Sequence, residues 1–240
     1  MNKAFIEEKP SALLNVDNNA KTVKGRKRQF LTGILYLFPH KAFGLNICPM
    51  AEIAECAGPC LNLAGRGAMS LVQASRLRKT WLFHHDRDWF MAQLYRDIEA
   101  LVRKAEREGM DVAVRLNGLS DIDWESFEIA GDTLMNHFTN VVFYDYTKIP
   151  RVPKHRNYHL TFSYSDAPAF QKMVKRAEKL RMNMSVVFQG PLPETYRGRP
   201  VIDGDLDDLR FLDPDGCIVG LRAKGPAKKD MDSRLIVRVA

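Results

Sequence analysis

The sequence predicts an α/β chain: a partial (β/α) barrel of about six mainly parallel strands, preceded by an irregular N-terminal arm. Three observations lead there. Short apolar runs of strand length alternate with stretches of helical spacing, the pattern of parallel βαβ units with right-handed crossovers. Polar and charged residues gather where those runs end. No GxGxxG or GxxxxGK[ST] segment follows any run, which disfavours the open-sheet dinucleotide and P-loop architectures. The 240 residues, 45% hydrophobic and 27% charged, suit a globular chain. We expect residues 1–28 to form a basic arm and residues 29–240 a single α/β domain with a Cys-rich loop over 39–67.

The elements follow in order. The opening residues, including NVDNNAKT, show no sustained period and read as irregular. LTGILYL (31–37) has the length and apolarity of a strand. Residues 39–67 are rich in Gly, Pro, Cys and Asn and read as a long loop, a feature that in a compact domain usually carries function. Helical spacing covers 67–79 and 86–108, where Phe90, Leu94, Ile98, Leu101 and Ala105 recur at three and four until Gly109 stops the run. DVAVRLNG (111–118) reads as a strand, 124–138 as a helix and VVFYDYTK (141–148) as a strand. NYHLTFS (157–163), a helix over 167–180, MSVVFQG (184–190) and CIVGLRAKG (217–225) complete the rhythm.

No apolar run approaches the roughly 18 residues of a membrane helix, and the N-terminus lacks the apolar core of a standard secretory signal. A place in the host cytosol, with no membrane partner, is the expectation. The formal charge is +7, and KTVKGRKR (21–28) holds five basic residues in eight positions. Such a surplus suits nucleic acid or an anionic small molecule. The basic residues at 172–181 fall on an expected helix and read as a solvated face.

Ligands of parallel α/β proteins sit beyond the carboxyl ends of the strands. Those ends carry Arg115, Asn117 and Asp121, then Asp145 and Lys148, then Ser163, then Gln189. Arg115 and Asn117 alternate with apolar neighbours and would share one side. A buried arginine needs an anion, for which Asp121, Asp145 and a ligand carboxylate are the candidates, a plain structural ion pair being the alternative. The stretch 201–216 holds six aspartates but fails the EF-hand spacing. Within it Asp203 and Asp205 are candidates to ligate a metal or to cap a ligand hydroxyl.

The sharpest local signal is Cys48-x7-Cys56-x3-Cys60. In a reducing compartment such clustering points to metal or redox chemistry rather than disulfides. Structural zinc wants four ligands, so Cys217 or one of His40, His84 and His85 would have to return to the loop. A [4Fe-4S] cluster with three protein thiolates leaves one iron open. The placement of three cysteines after the first strand resembles the layout of radical S-adenosylmethionine enzymes. The spacing departs from their CxxxCxxC, and no GGE-like segment follows the second strand. In that layout Cys48, Cys56 and Cys60 hold the cluster, while Arg115, Asn117, Asp121, Asp145 and Lys148 line the reacting pocket. Ser163, Gln189 and Asp205 would then fix S-adenosylmethionine.

The segments NICPMAEIAECAGPCLNLAGRG, RLNGLSDIDWE, FYDYTK, NYHLTFS and VIDGDLDDLRFLDPDGCIVGLRAKG together resemble the bacteriophage gene product 88 family, from about Lys21 to Lys229. The resemblance implies a phage or prophage origin and brings no activity with it. The sequence does not name the substrate; a phage setting suits a small molecule such as a nucleotide, or nucleic acid. Two further readings stand beside the enzyme. In one, KTVKGRKR and the 148–156 loop bind nucleic-acid phosphates, Tyr144, Tyr146 and Tyr158 stack bases, and the cysteines hold zinc or nothing. In the other, Asp203, Asp205 and Asp208 support metal-dependent hydrolysis.

Overall fold

A computed structural model describes residues 3–17 and 20–239. Its elements, in chain order, are α1 (Lys3–Glu7), β1 (Leu14–Val16), α2 (Ala20–Arg26), β2 (Phe30–Leu35), α3 (Ser70–His85), α4 (Arg87–Glu108), β3 (Asp111–Arg115), α5 (Leu134–His137), β4 (Val141–Thr147), β5 (Tyr158–Ser163), α6 (Gln171–Lys179), β6 (Met184–Gln189), β7 (Thr195–Tyr196), β8 (Arg199–Asp203), β9 (Ile218–Arg222) and β10 (Ile236–Arg238). Two short hairpins lie outside the main sheet, 41–46 and 128–133.

The ten strands form one sheet in the order β1-β2-β3-β4-β5-β6-β9-β8-β7, with β10 beside β6. All neighbours from β2 to β8 along that path are parallel, as is β10 to β6, and only the edge pairs β1/β2 and β7/β8 are antiparallel. The result is a mixed α/β structure with a large, mostly parallel central sheet. β2 to β6 follow one another in sequence order, so each crossover advances in the same direction.

Alternation decides which face each strand buries. Val112 and Val114 of β3, with Phe143 of β4 and Tyr158 of β5, pack against Phe90, Leu94, Ile98 and Leu101 of α4. Phe162 of β5 shares that face, where Met184, Val186 and Phe188 of β6 meet Val174 and Ala177 of α6. Each fully buried Phe, Leu or Ile here contributes about 1.5–3 kcal/mol. α4 stops as expected: Gly109 sits at φ 64° and its N–H returns to Ala105 and Glu106, a left-handed cap that costs a side-chain-bearing residue more. The opposite face carries Ala113 and Tyr144, covered by Leu209 and Phe211 from the acidic segment after β8. α3, α4 and α6 thus lie on one face, while the polar ends of β3 to β6 open toward the other.

Three expectations change. Residues 124–138 do not form one helix: Ala130 and Gly131 take positive φ and make the turn of a hairpin, and Thr133 caps α5 by accepting from the Asn136 N–H. The N-terminal arm is ordered where described. β1 pairs with β2, the Leu13 and Leu14 N–H groups donate to Asp97 at 2.5 and 3.0 Å, and Arg26 of α2 is held by Asp17 and Glu108. The start of the acidic stretch is strand β8, which the aspartate count had masked.

Candidate functional site

The carboxyl ends of the parallel strands surround a cavity of ≈ 510 Å³. The loop after β2 contributes Cys48, Cys56 and Cys60; β3 and the turn after it give Arg115, Asn117 and Asp121; β4 gives Tyr146 and Lys148. Ser163 ends β5, Ser185 lies on β6, and Asp205 and Asp208 follow β8. Lys21 and Lys24 of α2 complete the wall from the other side of the sequence.

The cysteine loop is shaped by specific contacts. Cys48 Sγ donates to the Leu119 carbonyl at 3.3 Å, and Cys60 Sγ accepts from the Asn62 N–H at 3.5 Å. Gln73 and Arg76 of α3 reach back to Asn62 and to the Gly67 carbonyl, fixing the loop to the helix. Gly225 comes so close that an added Cβ would stand 2.6 Å from the Cβ of Ala64, which only glycine allows. All four cysteines carry free thiols. Burial raises the pKa of Cys48, and Cys56, Asp121 and Cys60 raise it further. Burial likewise raises Cys56, against the nearby Lys148 cation, and Cys60.

Lys148 bridges the loop and the strand ends. Its Nζ donates to the Ser163 carbonyl and hydroxyl, both at 3.0 Å, and stands 5.3 Å from the centre of the Phe170 ring. Burial lowers its pKa, while Cys56, Asp121 and Cys48 favour its charge. Asp121 accepts from the Thr147 hydroxyl and the Lys148 N–H, each at 2.8 Å. Burial raises its pKa against those donors.

The anion for Arg115 is neither Asp121 nor Asp145. Arg115 Nη1 donates to Asp208 Oδ2 at 2.8 Å, and its guanidinium lies 4.4 Å from the centre of the Tyr146 ring. Burial alone would raise the pKa of Asp208, yet Arg115, Lys21 and Arg210 hold it well below the carboxylate range. Asn117 does not repeat the geometry of Arg115 because β3 has ended. Its side chain donates to the Ile122 carbonyl and accepts from Ser120, the Ile122 N–H and Trp124. Asp145 accepts from the Asn117 N–H at 2.6 Å and the Tyr158 hydroxyl at 2.9 Å and does not line the cavity. Gln189 is likewise outside it, donating to the Lys228 carbonyl.

Asp205 accepts from the Arg222 N–H and pairs with Lys224, while its carbonyl accepts from Lys24. Arg222 also grips both oxygens of Asp203 at 2.9 Å. Among the described residues, no three His, Cys, Asp or Glu side chains come close enough to share one metal ion. Of the candidate fourth zinc ligands, His40 lines the cavity and Cys217, His84 and His85 do not. Lys21 and Lys24 are cavity residues that the sequence reading took only for their charge, and Asp208, a candidate for metal-dependent hydrolysis, lines the cavity as the partner of Arg115 instead.

The fold and site together define an α/β protein with a mixed apolar and cationic cavity at the carboxyl edge of a mostly parallel sheet. The chain belongs to the family described as Gene product 88, whose model matches residues 12–239. No curated protein and no solved structure matches it. No helix among the described residues is long and apolar enough to cross a membrane.

Proposed function

We propose that the chain is an iron–sulfur enzyme with a radical S-adenosylmethionine-like layout on a partial (β/α) barrel, acting on a small anionic substrate of nucleotide type. The observation that carries this reading is that Cys48, Cys56 and Cys60, from the loop after the first parallel strand, line one cavity with Arg115, Asp121, Lys148, Ser163 and Asp205. The one-directional order of β2 to β6, with α3, α4 and α6 on one face, supports the barrel. Three thiolates match the ligand count of a [4Fe-4S] cluster with one open iron, whereas structural zinc wants four ligands; among the described residues no three His, Cys, Asp or Glu side chains are grouped to hold one metal ion.

A three-thiolate [4Fe-4S] cluster would supply electrons and an open iron for S-adenosylmethionine. The chain's own residues do the rest. Lys148 sets a cation beside Cys48 and Cys56 and offsets the charge they gain on losing their protons. Asp121 and Ser163 hold Lys148 in place, and Ser163 and Asp205 offer hydrogen bonds to a ligand hydroxyl.

Nucleic-acid binding is weaker on the same geometry. Arg26 and Lys24 of the basic run are held by Asp17, Glu108 and the Asp205 carbonyl. Arg151 is held by Glu125 and Asp123, and Tyr144 and Tyr158 are buried. Anaerobic purification with iron and sulfide assays tests the proposal. Iron and sulfide in equal amounts, lost in each of Cys48→Ala, Cys56→Ala and Cys60→Ala but kept in Cys217→Ala, is the expected result. Protein made under cluster-competent conditions without iron ends it.

A further inference from the structure

The cations of the cavity divide into two groups. Lys148 faces the cysteines. Lys21, Lys24, Arg115, Arg222 and Lys224 come from α2, β3 and the end of β9, and six Lys/Arg in all stand against four aspartates on the cavity wall. Lys24, Arg222 and Lys224 are matched with Asp203 and Asp205. Lys21 and Arg115 instead share Asp208: Lys21 Nζ is 3.4 Å from Oδ1 and Arg115 Nη1 2.8 Å from Oδ2. The Tyr144 hydroxyl donates to the same Oδ2 at 3.4 Å. Arg115 is 5% exposed, and its Nε finds no acceptor among the described residues. Asp208 thus faces two cations that line the cavity, and the enclosed Arg115 Nε adds an unmatched donor to the same cluster. Such a group is costly to bury unless an anion joins it.

We propose that the part of the cavity bounded by Lys21, Arg115 and Lys224 seats the phosphate of a phosphorylated small molecule. The proposal rests on the cavity being a ligand site, as the function above requires, and does not depend on the cluster. A phosphate monoester carries close to two negative charges and three strong acceptor oxygens at neutral pH. It matches the wall's excess of two cations, where a carboxylate brings one charge. A guanidinium presents paired N–H donors to such oxygens, and an ammonium adds a point charge. No glycine-rich loop takes part, so recognition falls to these side chains.

The test is calorimetric titration of the full chain, prepared free of iron, with AMP, adenosine, inorganic phosphate and acetate. AMP binding at least about tenfold tighter than adenosine is expected, with inorganic phosphate competing and acetate not. Lys21→Met should weaken AMP about tenfold, while Lys175→Ala, the same charge loss on an exposed residue of α6, changes it less than about twofold. Equal affinity for AMP and adenosine overturns the proposal, as does equal loss in both variants or competition by acetate at the concentration of phosphate. A protein that discriminates AMP but never holds iron loses only the enzyme reading. One that holds iron without discriminating AMP loses only this inference.

Discussion

Two buried carboxylates, Glu125 and Asp208, show how differently one kind of charge is accommodated in this molecule. The Glu125 side chain is fully enclosed and accepts from the Lys154 N–H at 2.6 Å, the His155 N–H at 3.1 Å, His155 Nδ1 at 2.8 Å and Arg151. Burial works against its charge, but His155 and Arg151 hold its pKa below the usual range. His155 Nε2 in turn meets the Thr133 hydroxyl at 3.0 Å, so the 128–133 hairpin, the turn Trp124–Ser126 that carries Glu125 and the loop before β5 are tied together. Asp208 is as deeply set, yet its partners are longer or shared, and an orphaned Arg115 Nε stands beside it. A network in which every donor and acceptor is matched fixes a shape. The Asp208 cluster beside the cavity leaves one donor, Arg115 Nε, unmatched.

The largest effect should come from opening the closed network. Glu125→Ala leaves His155, two backbone N–H groups and one arm of Arg151, whose other arm stays on Asp123, without their acceptor and should cost about 3–5 kcal/mol in urea unfolding. Arg115→Met should cost less, about 2–3 kcal/mol, because Lys21 and Tyr144 still face Asp208. Arg115→Met with Asp208→Leu should abolish phosphate binding without recovering all of that stability, because Lys21 and the Tyr144 hydroxyl then lose Asp208. Equal costs for Glu125→Ala and Arg115→Met would erase the distinction between the two carboxylates.

Asp145 offers a pH test of a third buried carboxyl. Burial raises its pKa to about 7, against Arg115 and its hydrogen bonds; in the unfolded chain it titrates near about 4. The folded state keeps this proton longer, so the stability it contributes is complete below about pH 4 and is lost as pH rises through about 7. Asp145→Asn should flatten that decline in thermal unfolding. At Lys21 the pKa shift is opposite in sign, and its consequence is for binding. Burial, with Arg115 and Lys224 nearby and Asp208 opposing them, pulls its pKa down to about 8. AMP affinity should therefore fall as pH climbs past about 8 rather than past the usual lysine range. Smallest of all, Cys60→Ala should change stability by under about 1 kcal/mol, because Cys60 serves the cavity rather than the core.

Much of this architecture was legible in the sequence because it is written in local period. The six strands expected at 31–37, 111–118, 141–148, 157–163, 184–190 and 217–225 all appear, and the spacing of Phe90 to Ala105 gave α4 and its Gly109 cap. The hairpin at 128–133 was missed because a helical apolar pattern outweighed the Ala130-Gly131 turn. At the site, residues at the ends of their own strands, such as Arg115 and Lys148, could be picked from alternation and position. Partners separated by long stretches of chain could not: nothing near residue 115 points to Asp208, and nothing in KTVKGRKR says that α2 folds back to put Lys21 on the cavity wall. Asp145 was misplaced for a similar reason, since its neighbours Asn117 and Tyr158 satisfy it on the face away from the cavity.

One feature of the sheet bears on the cavity wall. β5 and β6 share only two residue pairs, Phe162 with Met184 and Ser163 with Ser185, and β10 then takes the vacated edge of β6 from Val187 to Gln189. The ladder is therefore a seam with a keystone in it, and Leu235, just before that keystone, forms part of the cavity lining. β10, three residues long, thus completes the edge of β6 that β5 leaves unpaired and sets Leu235 against the cavity.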